Sequence, residues 1–152
     1  MHFEVRQDLL GKLAAVPHQV EVAARAAASR PTPPGGWPPV VIIGHLTRVD
    51  ATVWLARLEQ MAREDDPHWQ WWEEPEFDWV GTYGGRTIEA AVTDLANGRD
   101  SIVDRLRNLD EAGWQRVGTH ATFGRLDVLG LGREILVHDA EHIAQLALVA
   151  AP

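Results

Sequence analysis

Cysteine is absent from this chain of 152 residues. Its absence excludes a disulfide framework, a thiolate zinc site and a cysteine nucleophile supplied by the protein. Any thiol chemistry at this protein would therefore use a thiol from a small molecule. A chain of this length can bury a sizeable core without cross-links, so we expect a single domain that spans residues 1–152.

Long apolar runs and positive charge are also scarce. No run approaches the roughly 20 residues that cross a bilayer, and the N-terminus carries Glu4, Arg6 and Asp8 in place of the apolar core of a signal peptide. Lys12 is the single lysine, and the formal net charge is −8. An acidic surface repels phosphate backbones. We therefore expect a cytoplasmic protein with neither a nucleic-acid nor a membrane partner.

Four segments have the apolar spacing of helices. Pro17 lies inside the first and predicts a kink or a second start, whereas Pro39 suits the first turn of the second. Thr87 and Asp127 are the predicted N-caps of the third and fourth. Four such helices predict an all-α fold, an antiparallel four-helix bundle. The predicted segments are residues 4–28, 39–63, 87–109 and 127–150.

Two connections are irregular. Residues 65–86 form a long loop between helices 2 and 3, with prolines, acids and four of the seven tryptophans. Loops of this length are often lids or binding loops, but they can also simply pack against the body. We expect residues 69–72 either to pack as large apolar groups or to form an aromatic wall at the mouth of a site. The connector 111–125 is predicted to hold a short hairpin, in which residues 116–117 and 121–123 flank a polar turn.

Three histidines are the candidate functional residues. His138 and His142 are four positions apart in the last predicted helix, so their Cβ atoms lie about 5–6 Å apart on one face. That face is apolar and points into the bundle. His45 lies on the apolar face of the second helix, beside Gly44, which permits close approach of a neighbouring helix. Two inward histidines on one helix and one on another can bind a single metal ion in a bundle core.

The alternative is that each histidine is a core residue with hydrogen-bond partners of its own, because an unpaired buried polar group is costly. As a metal site, three neutral imidazoles suit Zn²⁺, Ni²⁺ or Fe²⁺. Three protein ligands also leave an open coordination position, which is typical of catalytic or ligand-binding sites rather than structural ones.

Carboxylates near these histidines are candidates to orient the rings, since ligating histidines usually donate their second N–H to an acceptor. Asp50, Asp139 and Glu141 are the candidates. For Asp50 the alternative is an ion pair with Arg48 or with an arginine on another helix, and for Glu141 it is an exposed position on the helix. Gln145, one turn after His142, is expected to hydrogen-bond within the core.

The sequence resembles the DinB/YfiT-like superfamily of bacterial four-helix metalloproteins over nearly its whole length. The resemblance rests on the first helix (9–20), on Gly36-Trp37 followed by Gly44-His45-Leu46, and on the last helix with its His-x3-His-x2-Gln string. Pro38-Pro39 departs from the family pattern and affects only the helix start. The resemblance implies that His45, His138 and His142 are the first, second and third ligands of a divalent metal ion.

The resemblance also implies two classes of function, both with a small-molecule ligand. Some members of the superfamily resemble thiol S-transferases that use bacillithiol or mycothiol, in which a metal lowers the pKa of the thiol. A metal-dependent hydrolase is a variant of this class. The other class is a non-catalytic, stress-associated protein that binds a metal or a small ligand. Relatives often pair through bundle helices, so a homodimer is a further expectation.

Overall fold

Four long helical units form the bundle that the sequence predicts. The computed structural model describes residues 2–150, so the predicted domain span extends beyond it at Met1 and residues 151–152. Within the described part, no helix is both long and apolar enough to cross a membrane. The long units are α1 (His2–Ala28), α2 (Pro39–Val49) continued by a π-helical segment (Asp50–Leu55) and α3 (Ala56–Arg63), α5 (Ile88–Arg107) and α7 (Val128–Ala150). The shorter elements are β1 (His68–Trp69), α4 (Trp79–Tyr83), α6 (Glu111–Trp114), β2 (Val117–His120) and β3 (Gly124–Asp127).

The helix boundaries follow from capping residues and proline. The side chains of Thr87 and Asp127 accept hydrogen bonds from backbone N–H groups one turn into α5 and α7, at 3.1 and 2.7 Å, and so satisfy donors that a helix start leaves unpaired. Pro39 is the first residue of α2, where its missing N–H costs nothing. The second helix start expected at Pro17 is not found in α1, which continues through Pro17 as one helix of 27 residues.

The second helical unit widens at its centre, which the apolar spacing did not predict. The π-helical segment holds Asp50 and Trp54, and both side chains are buried. Such π-bulges occur mostly as single turns inside α-helices and frequently at functional sites. Here the segment directs an acidic and an aromatic side chain into the interior from one short stretch of chain.

A small sheet connects the two irregular segments. The predicted hairpin is present, with β2 antiparallel to β3, but residues 121–123 form its turn rather than one of its strands. β1 pairs with β2 in parallel, and the Ala121 N–H donates to the Trp69 carbonyl at 2.8 Å. An ion pair between Arg48 and Glu74 also holds the long loop against α2. The loop is therefore packed on the body of the bundle.

The apolar core is divided into two clusters by a layer of charge. One cluster contains Leu13, Ile102 and Ile135, and the other contains Leu95 and Leu146. On α5 and α7 the chain passes from one cluster to the other through a buried charged residue, Arg99 on α5 and Asp139 on α7. The bundle interior is thus apolar at both ends and ionic between them.

Gly44 allows α4 to pack closely on α2. A Cβ atom at this position would lie 2.2 Å from the Tyr83 ring, so the ring or the whole of α4 would have to move. We expect Gly44→Ala to lower the free energy of unfolding by about 1–3 kcal/mol, the usual cost of overpacking, measured by urea titration.

The matched control for this substitution is Gly98→Ala in the middle of α5, where a Cβ atom would meet nothing within 4 Å. Alanine should raise the free energy of unfolding there by about 0.5–1 kcal/mol, because glycine is the poorer helix former. Effects of the same sign at both glycines would contradict the close approach at Gly44.

Candidate metal centre

The three histidines named from the sequence come together between α2 and α7. The Nε2 atom of His138 lies 3.3 Å from that of His45 and 3.2 Å from that of His142. One nitrogen from each ring falls within 4.8 Å of the others. Nitrogens bound to one tetrahedral Zn²⁺ at about 2.0–2.1 Å lie about 3.3 Å apart. The spacing of these donors therefore fits a single divalent ion.

The second ring nitrogens show how the rings are held. Nδ1 of His142 lies 2.8 Å from the amide oxygen of Gln145. With that oxygen as acceptor, Nδ1 carries the proton and Nε2 presents its lone pair to the centre. The Nδ1 atoms of His45 and His138 are buried and have no hydrogen-bond partner among residues 2–150. Gln145 is thus the side chain that orients a histidine of this group.

Burial keeps two of these histidines neutral. Desolvation, with a smaller effect from the neighbouring His142, lowers the pKa of His45 to about 4 and that of His138 to about 3. Neutral imidazole is the form that binds a metal ion. At pH 7 the two rings can therefore act as ligands without first losing a proton.

Two of the carboxylates expected to orient the rings bind an arginine instead. Asp50 and Asp139 both bind Arg99, in four hydrogen bonds of 2.8 to 3.1 Å. Within residues 2–150, neither carboxylate hydrogen-bonds a histidine ring. For Asp50 this is the second of its two expected roles, an ion pair with an arginine on another helix. Glu141 is exposed and lies at the wall of the cavity described below.

Arg99 was not identified from the sequence. It is fully buried on α5 and also donates to the Leu13 carbonyl at 3.3 Å, so it contacts α1, the π-helical segment and α7. Its position within the apolar stripe of α5 was the available signal. A charged residue in such a stripe needs a buried partner of opposite charge.

A cavity of about 490 Å³ opens beside the three histidines. The long loop supplies much of its wall, and the outcome for residues 69–72 is divided. Trp71 and Trp72 line the cavity, as the aromatic-wall expectation has it, whereas Trp69 packs in the interior. Trp79 lies against His45 with the two rings tilted, and their centroids are 4.9 Å apart. Trp69 is an exception, because it is buried and donates to Gln60 at 2.8 Å. The tryptophans that line the cavity are Trp37, Trp54, Trp71, Trp72 and Trp79.

Two further cavity residues could not be found by sequence spacing. His120 is buried at the end of β2, and its Nδ1 accepts backbone N–H groups of the hairpin turn at 2.9 and 3.3 Å. Desolvation lowers its pKa, with a smaller effect from the Arg57 cation. Arg57 is buried on α3. The pairing of β1 with β2 places His120 beside Trp69, which Arg57 also contacts. The two-residue strand β1 carried no sequence signal strong enough to predict this pairing.

Comparison with known proteins agrees with this architecture. The family model of the DinB superfamily matches residues 7–146. No curated protein matches the chain. Among solved structures, the chain is similar to YfiT from Bacillus subtilis, with a TM-score of 0.74 and 18% identity over 95% of this chain and 85% of that one. YfiT is described as a probable metal-dependent hydrolase with an unusual four-helix bundle topology, and at this identity the match shows the fold.

Proposed function

Because this chain belongs to the DinB superfamily, we propose that His45, His138 and His142 bind one divalent metal ion and that the protein is a metal-dependent hydrolase of a small molecule. The observation that carries the proposal is the convergence of three Nε2 atoms, at 3.2 and 3.3 Å, beside a cavity large enough for a small substrate. The description of YfiT as a probable metal-dependent hydrolase supports the choice of reaction.

A bound divalent ion would acidify a water molecule and polarise a carbonyl group. The chain's own residues supply the rest of the chemistry. Glu134 and Glu141 lie on the cavity wall at positions four before and three after His138, so all three project from one face of α7. Their carboxylates can accept the proton released by the attacking water. The tryptophans cover part of the cavity wall with apolar surface.

A thiol S-transferase is the second candidate. The observation in its favour is that the chain has no cysteine but has an open cavity beside its histidines. A small-molecule thiol of the bacillithiol or mycothiol type would then be the nucleophile, since a metal ion lowers the pKa of a bound thiol. A non-catalytic metal- or ligand-binding protein is what remains if neither reaction occurs.

Metal binding is tested by calorimetry on chelator-treated protein with Zn²⁺, Ni²⁺ and Fe²⁺. We expect one equivalent to bind the unmodified chain, and His138→Ala to leave the site unsaturated at metal concentrations that fill the unmodified protein. His18→Ala is the matched control, because His18 is exposed on α1. Equal metal content in the two variants would contradict the three-histidine site.

The reaction is tested on the metal-loaded protein with two substrates. Hydrolysis of an aryl ester that is lost in His138→Ala would support the hydrolase. Consumption of a small thiol with an aryl halide, lost in the same variant, would instead support the transferase. If neither reaction exceeds that of metal-free protein, the non-catalytic alternative is favoured.

A further inference from the structure

Arg57 is a buried cation that no carboxylate among residues 2–150 neutralises. Its side chain lines the cavity, and the residue is 8% exposed. Within residues 2–150 it makes one hydrogen bond, from Nη2 to the Gln70 carbonyl at 3.2 Å, and no ion pair. A guanidinium group has five N–H donors. Most of the hydrogen-bonding capacity of Arg57 is therefore free for a ligand in the cavity.

The surroundings of Arg57 hold it in place without balancing its charge. Its guanidinium carbon lies 5.5 Å from the ring centroid of Trp54 and 5.3 Å from that of Trp69. The indole faces attract the cation but accept no strong hydrogen bond. Desolvation lowers the pKa of Arg57. Desolvation also lowers the pKa of the nearby His120, which favours the neutral form of that ring. Arg99, the other buried arginine, binds two carboxylates, and this contrast sets Arg57 apart.

One indole separates this cation from the histidines. The Trp54 ring centroid lies 5.8 Å from that of His138, and Trp54 lines the same cavity. A ligand that contacts Arg57 can therefore reach the histidines across one aromatic residue. Glutamates on the cavity wall limit the charge that such a ligand can carry, because they repel polyanions such as phosphate esters. They are Glu73, Glu134 and Glu141, whereas Glu74 on the same wall is paired with Arg48.

We propose that the cavity binds an organic monocarboxylate, with its carboxylate paired to Arg57 and its apolar or aromatic body against the tryptophans. Guanidinium and carboxylate groups form paired, charge-assisted hydrogen bonds, and these are strong where water is excluded. The orientation of the ligand, with its reacting group toward the histidines, rests on the proposed function. The contact with Arg57 does not.

The test compares naphthoate with naphthamide, which has the same ring system and no charge. Isothermal titration calorimetry on chelator-treated protein should show that naphthoate binds about tenfold or more tightly than the amide, as a charged hydrogen bond predicts. Arg57→Met should remove this preference and leave the affinity for the amide unchanged. Arg107→Met is the control, because Arg107 is exposed and pairs with Asp104 on the same helix. It should keep the full preference.

Equal affinities of the unmodified protein for the two probes would overturn the proposal, and so would a preference that survives in Arg57→Met. If Arg57→Met does not fold, Arg57→Lys is measured instead. That variant keeps the charge but loses the planar donor pair, so a preference equal to that of the unmodified protein would also overturn the proposal. Because metal is absent from these titrations, a lost metal site and a lost carboxylate site give separate results.

Discussion

Replacing Arg99 with methionine should lower the free energy of unfolding by about 3–5 kcal/mol at pH 8, a large fraction of the about 5–15 kcal/mol that is typical of native proteins. The substitution removes four hydrogen bonds and leaves Asp50 and Asp139 without a counter-charge in the bundle interior. Both carboxylates are almost completely buried. A buried charge that loses its partner keeps the cost of desolvation and loses the attraction that offset it.

The loss of free energy of unfolding in Arg99→Met should be smaller at pH 5 than at pH 8. Desolvation, with a smaller effect from Asp139, raises the pKa of Asp50 to about 6 against the attraction of Arg99. Without Arg99 the folded-state pKa would be higher still, and the unfolded value is about 3.9. A carboxyl group with a raised pKa contributes its stability fully below the unfolded pKa and loses it as the pH rises through the folded pKa. Protonation at pH 5 therefore relieves part of the buried charge.

Urea titrations at pH 5 and pH 8, followed by circular dichroism, measure this difference against the unmodified protein at the same pH. The control is the triple variant Arg99→Met, Asp50→Asn, Asp139→Asn, which removes all three charges. The triple variant should recover much of the lost free energy of unfolding. Replacing a whole buried ion cluster with neutral residues costs far less than removing one charged partner from it. An equal loss at both pH values would show that packing, and not unpaired charge, is what Arg99 contributes.

The sequence was sufficient for the parts of this molecule that depend on local pattern. The 3.6-residue spacing places the four helical units, and Thr87, Asp127 and Pro39 mark their starts through side-chain oxygens and a missing N–H. The same spacing puts His138 and His142 on one inward face of α7. Their convergence with His45 is now a structural observation, while their role as metal ligands stays a prediction.

The parts that could not be predicted depend on contacts between distant segments. Arg99 is an arginine in an apolar stripe, and only the packed bundle shows that Asp50 and Asp139 reach it from two other helices. The π-helical segment differs from an α-helix in its backbone hydrogen-bond pattern, and its residue composition gives no sign of that difference. Arg57 lines the cavity where β1 of the long loop pairs with the hairpin. A strand of two residues is too short for this pairing to be predicted from the sequence.

The ionic layer and the histidines connect the same pair of helical units. Arg99 joins Asp50 of the π-helical segment to Asp139 of α7, and His45 and His138 meet from α2 and α7. Asp139 directly follows His138 in α7. The ion pair of Asp139 with Arg99 therefore fixes the rotation of α7 about its axis at the point where the His138 ring faces the interior. A metal ion at the histidines would thus bridge two units that the ionic layer already holds in register.

Zinc should therefore stabilise the folded protein. At a free concentration 100 times the dissociation constant, binding to the folded state alone adds about 2.7 kcal/mol, which for a domain of this size raises the melting temperature by about 5–10 °C. Melting is followed by circular dichroism with zinc and after addition of chelator. His45→Ala and His142→Ala should lose the response, since each removes a ligand from one of the two helices, and His18→Ala should keep it.

Gln145→Leu distinguishes a zinc site at these rings from zinc bound elsewhere. Gln145 holds Nδ1 of His142 at 2.8 Å and contributes no ligand itself. Loss of such an orienting partner typically weakens metal affinity by about 10- to 100-fold. At a fixed zinc concentration the variant should therefore show a smaller rise in melting temperature than the unmodified protein, and more zinc should restore it. A rise that is unchanged in Gln145→Leu and persists in His45→Ala would place the bound zinc outside the three histidines.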